Sequence, residues 1–195
     1  IHRLLSEREK RARLEKLNMV IEAFFSEVGT RLLNYFSDFD PKLEQIRNNL
    51  IVTDGWSEQE FANVSKRLKN YDYGVKIQGT SLEDLHGFLV ERRDFLLRLL
   101  ENPALLEHES FTGPLQAIFH LMEELSARED LRRLPDIDYE HLADDIKRAY
   151  TLLVHEWLDY MKYLEDNYPY LFSLAIRTNP FDKEAAPVVT GDGEK

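Results

Sequence analysis

The chain has no cysteine, which excludes disulfides, thiolate metal sites and a cysteine nucleophile and suits a reducing compartment. No run approaches about 18 consecutive apolar residues, so nothing reads as a membrane span, and no apolar signal core follows a charged start. Positive charge is in deficit: 25 Lys and Arg stand against 36 Asp and Glu, a formal charge of −11. A nucleic-acid-binding domain is normally basic, so nucleic acid is not an expected partner. Only 8 glycines and 7 prolines occur in 195 residues. There is no glycine-rich phosphate loop, internal repeat or G-x-S-x-G nucleophile elbow. No cofactor and no catalytic residue is expected, and the balance leans away from an enzyme.

What is present is helix-forming. The 43% apolar content is enough for one core, and 31% of residues are charged, above the usual quarter. From Leu14 the apolar residues Leu17, Ile21, Phe24 and Val28 follow alternating steps of three and four, Leu32 covers the gap where Arg31 is due, and Tyr35 resumes the seam, which predicts a long helix over 1–38. Its seam could pack in a bundle or pair with a second copy. Pro41 stops it. PKLEQIRNNLIV reads as a short helix. Ser57 and Glu60 have capping-box spacing ahead of another. Residues 71–79 form the least helical stretch. Thr80 and Glu83 repeat the capping-box spacing and open a helix of about twenty residues closed by Pro103. Thr112 with Pro114 predicts a helix start, because proline is tolerated in a first turn. Asp136 or Asp138 should cap the final long helix, whose stripe runs from Leu142 through Ile146, Leu153 and Trp157 to Leu164. The expected architecture is an all-α antiparallel bundle with long N- and C-terminal helices. A single domain spans 1–182, with a flexible tail at 183–195.

Two patterns suggest function. Arg3, Arg8, Lys10, Arg11, Arg13 and Lys16 meet only three glutamates among the first 16 residues, a local +3 that leaves the remainder at −14. A basic segment at the start of an acidic chain that begins with Ile1, not Met, is what a fragment cut just inside a membrane would show. The second pattern is a supply of metal ligands. Glu83 and His86 have the Glu-x-x-His spacing of di-metal bundles, His120 with Glu123 reverses it, and Glu107 and His108 lie in EHES. At about 100° per residue His120, His141 and His155 fall opposite the apolar stripes, on solvent faces. Adjacent acids such as Asp144–Asp145 point apart and read as solvating surface.

The stretches LEKLNMVIEAFFSEVGTRLLNYF at 14–36, LLEHESFTGPLQAIFHLMEEL at 105–125 and LDYMKYLEDNYPYLFSLAIRTNPFD at 158–182 resemble an uncharacterised prokaryotic family. In that family a helical region follows membrane-spanning segments. The resemblance implies a cytoplasmic domain hung from a membrane and brings no activity. The expected function is therefore a non-enzymatic interaction or signalling domain on the cytoplasmic side of a membrane. It would engage a protein partner or a second copy, with membrane proximity through an upstream segment. A carboxylate/histidine metal-binding bundle, acting as enzyme or sensor, is one alternative; a soluble, cytosolic dimeric adaptor is another.

Overall fold

The stripe through Leu17, Phe24, Val28 and Leu32 winds the N-terminal segment into a continuous helical arm. In the computed structural model, which describes residues 2–77, 79–106 and 109–189 apart from the side chains of 2–6, 79–81, 106 and 109, this arm has three parts. They are α1 (His2–Phe24), one π-helical turn (Phe25–Gly29) and α2 (Thr30–Phe39). The π turn has a cause in sequence. Phe24 and Phe25 are adjacent and would point about 100° apart on a regular helix, yet both are core residues. Phe24 meets Phe111 edge-on at 5.1 Å, and Phe25 stacks on Tyr160 at 4.7 Å. The extra residue of a π turn re-registers the stripe so that both rings are used. Gly29 makes room, since a Cβ there would lie 2.6 Å from Phe25 Cδ1 and 2.8 Å from Phe24 Cε1. Ahead of Pro41, Asp40 is extended (φ −93°, ψ 100°) and the arm ends.

Two single-turn 3-10 helices, Leu43–Gln45 and Arg47–Asn49, replace the regular helix expected over 41–52. They let Leu43, Ile46 and Leu50 reach the core from a short connection. The helix α3 (Glu58–Lys69) begins with the capping box foreseen: Glu60 N donates to Ser57 Oγ at 3.3 Å and Ser57 N to Glu60 Oε2 at 2.5 Å. Then come α4 (Gly79–Glu91), α5 (Arg93–Leu100), α6 (Pro103–Leu106), α7 (Glu109–Ser126), α8 (Asp136–Asn167) and α9 (Pro169–Arg177). The helix expected from Thr80 to Leu100 is broken at Arg92, whose guanidinium leans on the Phe88 ring and donates through Nε to Glu27 O. The Thr80 side chain lies outside the described residues.

Two helix starts differ from expectation. α7 begins at Glu109, so Pro114 sits inside it, and Thr112 Oγ1 donates to Leu105 O in place of capping. α8 starts at Asp136 behind Pro135 with no side-chain cap; Asp138 is claimed by an arginine instead. In both cases a tertiary partner outcompetes the local capping bond.

α8, 32 residues and about 48 Å long, is the spine. Leu142, Ile146, Ala149, Tyr150, Leu153, Trp157, Met161 and Leu164 are all buried along it. Against it pack α7, α3, α2, the π turn and α9. The pairings Phe36–Tyr150 and Phe25–Tyr160 set the arm antiparallel to α8. The protein is an all-α helical bundle, and among the described residues there is no strand. Among them, too, no helix is long and apolar enough to cross a membrane.

Candidate metal centre on helices α7 and α8

The apolar stripe of α7, Leu115, Ile118, Leu121, Met122 and Leu125, is buried, which leaves His120 and Glu124 one turn apart on its edge. On α8 the register of Leu142, Ile146 and Ala149 does the same for His141 and Asp145. Asp145 lies about 60° from Leu142 on the helix circumference, close enough to the stripe to be carried under it. It is only 4% exposed, which corrects its reading as surface. The helices run antiparallel here, with Arg128 opposite Asp138 and His120 opposite Asp145. Each therefore delivers an i,i+4 imidazole–carboxylate pair to one place.

His120 Nε2 lies 3.7 Å from Glu124 Oε1 and 3.6 Å from Asp145 Oδ2. His141 Nε2 lies 3.5 Å from Glu124 Oε2 and 3.5 Å from Asp145 Oδ2. These separations exceed the roughly 2.7–3.2 Å of a direct hydrogen bond. They approach the edge of about 3.4 Å expected between donors that share a tetrahedral ion at about 2.1 Å. One donor atom each from His120, Glu124 and Asp145 falls within 4.8 Å of the others, and His141 borders this trio from α8, beside both carboxylates. The histidines are 47% and 53% exposed, so the cluster opens to solvent on one side and rests on the buried aspartate on the other.

Two arginines hold the carboxylates. Arg128, 15% exposed, donates from Nε and Nη2 to the two oxygens of Asp138 at 2.7 and 2.6 Å and from Nη1 to Glu124 Oε2 at 2.9 Å. Its guanidinium keeps the Glu124 and Asp138 carboxyls below the usual carboxylate range, and the hydrogen bonds to Asp138 and then Glu124 raise the arginine's pKa in turn. Arg148 Nη1 donates to Asp145 Oδ1 at 3.1 Å. Asp145 Oδ2 is buried and has no hydrogen-bond partner. A buried carboxylate oxygen without a partner is costly, about 1–3 kcal/mol, and this one faces the two imidazoles.

The residues proposed from sequence are placed differently. His86 Nε2 pairs with Ser126 Oγ at 2.9 Å, and Glu83 accepts from Arg132 Nε at 2.6 Å; neither approaches the cluster. Glu123 is exposed, and His120 turns to Glu124. Glu107 and His108 lie outside the described residues. His120 and His141 are exposed as the pattern indicated, whereas His155 is half-buried, its pKa lowered by burial. The missed signal is visible in the chain: HLMEE at 120–124 and HLADD at 141–145 are two copies of His-Leu followed by a carboxylate at the fourth residue. Of the seam, Leu17, Phe24 and Val28 are buried and Ile21 and Tyr35 half-buried within the chain's own core, so only Leu14 stays exposed. Arg8, Lys10, Arg11, Arg13 and Lys16 lie on an exposed stretch of α1 from 7 to 16; the Arg3 side chain lies outside the described residues.

Fold and site define an all-α protein whose central helix pair presents two histidines and two carboxylates at one point. The chain belongs to the family described as Uncharacterized protein MJ1433, C-terminal helical domain, which matches residues 13–177. It is 46% identical over 192 residues to Uncharacterized protein MJ1433 of Methanocaldococcus jannaschii, spanning 98% of this chain and 77% of that protein. No solved structure matches the chain. The membrane-spanning segments implied by the resemblance are not part of the family's description.

Proposed function

We propose that this protein is a divalent-metal-binding helical domain whose site is His120, Glu124, His141 and Asp145. The observation that carries the reading is the buried Asp145 Oδ2, unpartnered and 3.5–3.6 Å from both imidazole nitrogens. A cation among these donors would give that oxygen the partner it lacks and fits separations longer than a direct hydrogen bond. With the close trio of His120, Glu124 and Asp145 and the neighbouring His141 as fourth donor, a tetrahedral shell would be filled by protein and leave no position for substrate, as in structural sites. The function is thus binding or sensing by a non-enzymatic domain, the ion tying α7 to α8. Isothermal titration of the untagged chain with zinc chloride tests it. One equivalent should bind in the parent, and His120→Ala and His141→Ala should each weaken binding strongly. Substoichiometric uptake unchanged by either variant sinks the reading.

The exposed, charge-rich stretch from Glu7 to Lys16 favours a second reading, contact with an anionic membrane surface on the cytoplasmic side of a longer protein. Co-sedimentation with phosphatidylserine vesicles, lost in a variant carrying Arg8→Glu, Lys10→Glu and Arg11→Glu, would support it. Equal recovery with neutral phosphatidylcholine vesicles would remove it.

A further inference from the structure

The arginines that hold the cluster also limit what it can bind. We infer that the site takes a tetrahedral, imidazole-favouring divalent cation of the zinc class and discriminates against the hard, oxygen-seeking cations magnesium and calcium. This rests on the metal-binding reading above and specifies its ligand. Donor count comes first. Glu124 Oε2 is engaged by Arg128, and Asp145 Oδ1 by Arg148. Each carboxylate is left with one oxygen, Glu124 Oε1 and Asp145 Oδ2, and the site offers two nitrogens and two oxygens. Calcium takes about six to eight oxygens, and magnesium an octahedron of about six donors, mostly oxygen. Zinc is satisfied by four donors of this mixed kind.

Spacing agrees. The separations that use the available atoms are 3.7 Å, 3.6 Å and 3.5 Å (His120–Glu124, His120–Asp145 and His141–Asp145). A magnesium octahedron at about 2.1 Å has edges of about 3.0 Å, shorter than each of these separations. For the trio of His120, Glu124 and Asp145 the edge of a zinc tetrahedron, about 3.4 Å, lies nearer these separations.

Charge completes the case. Glu124, Asp145 and Asp138 face the guanidinium groups of Arg128 and Arg148, three negative charges against two positive, so only one net negative charge is left to attract a cation. Affinity must then come from the imidazoles, which favour transition cations over magnesium and calcium. Arg148 is 59% exposed and can be removed with little effect on the core. Arg148→Gln frees Asp145 Oδ1 and makes that carboxylate available to an ion through both oxygens.

Cobalt(II), which shares zinc's geometry and is visible spectroscopically, tests the inference on the full untagged chain. The parent should show the intense visible bands of tetrahedral cobalt, unaltered by a large molar excess of magnesium or calcium chloride. Removing one unit charge in a water-like dielectric, about fivefold at ~4 Å, raises the affinity of cobalt and calcium alike, whereas the second Asp145 oxygen favours the hard cation; the excess of calcium chloride needed to halve the cobalt bands should therefore be lower in Arg148→Gln than in the parent. Weak octahedral bands in the parent, displacement of cobalt by magnesium there, or a variant as resistant to calcium as the parent would each overturn the inference while leaving metal binding standing. No cobalt uptake at all would instead overturn the metal-binding reading.

Discussion

Replacing Asp145 with Asn should stabilise the metal-free protein and abolish its response to metal. In the parent Asp145 is 4% exposed, its Oδ1 accepts from the largely exposed Arg148, and its Oδ2 has no hydrogen-bond partner, the nearest groups being the imidazoles at 3.5–3.6 Å. An unpaired buried acceptor costs about 1–3 kcal/mol. The ion pair with an exposed arginine returns about 0–1 kcal/mol. Asn keeps the shape, keeps an oxygen for Arg148, and turns an amide N–H toward the imidazole nitrogens. The net expectation without metal is a gain of about 1 kcal/mol, or about 2–4 °C in melting temperature for a chain of this size. Metal reverses the order. At a free concentration 100-fold above its Kd, an ion binding only the folded state adds about 2.7 kcal/mol, about 5–10 °C, to the parent and little to the variant. Differential scanning calorimetry with chelator and with zinc measures all four values. A variant that melts below the parent in chelator yet keeps the zinc-induced shift would refute the reasoning, because Asp145 would then be a stabilising ion-pair residue and no ligand.

Arg128 depresses the Glu124 and Asp138 carboxyls, so their contribution to stability is present above about pH 4.5 and lost as pH falls through their folded pKa values. Arg128→Gln should flatten the acid limb of the stability–pH profile below that pH, as read by urea unfolding, and an unchanged limb would contradict it. Glu156 is shifted the other way. Burial and then Asp159 push its carboxyl up to about 7, with Ser110 opposing. A raised acid pKa makes the parent lose stability as pH rises from about 4.5 to 7. Glu156→Gln should therefore be about 1 kcal/mol more stable relative to the parent at pH 8 than at pH 4, after allowance for its partial solvent exposure. Gly29→Ala should cost about 1–3 kcal/mol by overpacking the π turn against Phe24 and Phe25, a loss that a midpoint shift in urea reports.

How much of this was legible in the chain differs by level. Helix content followed from three- and four-residue spacing, and the α8 stripe from Leu142 to Leu164 could be read residue by residue because one periodic face is buried along its whole length. Helix starts were legible where a cap is local, as at Ser57 and Glu60. They were not where a distant group took the capping side chain, as Leu105 took Thr112 and Arg128 took Asp138. The cluster left only a trace in the chain, the repeated His-Leu with a carboxylate four residues after each histidine, for a related reason. Neither HLMEE nor HLADD is a site alone, and Asp145 becomes a candidate ligand only once α7 is known to lie antiparallel on α8 and to cover it. A search at three-residue spacing selected Glu83 with His86 and His120 with Glu123, pairs that helix geometry permits and the packing of α4 and α7 sends elsewhere. The N-terminal seam shows the converse limit: a regular stripe says that a face is buried, not whether its own chain or a second copy buries it.

The central claim is that His120, Glu124, His141 and Asp145 share one ion. Anomalous diffraction at the zinc edge, from crystals of the untagged chain grown with zinc, tests it most directly. The account predicts a single strong peak between α7 and α8, about 2.0–2.2 Å from one donor atom of each of the four residues. A map with no peak there, or with its strongest peak at His86 or another surface histidine, would contradict it.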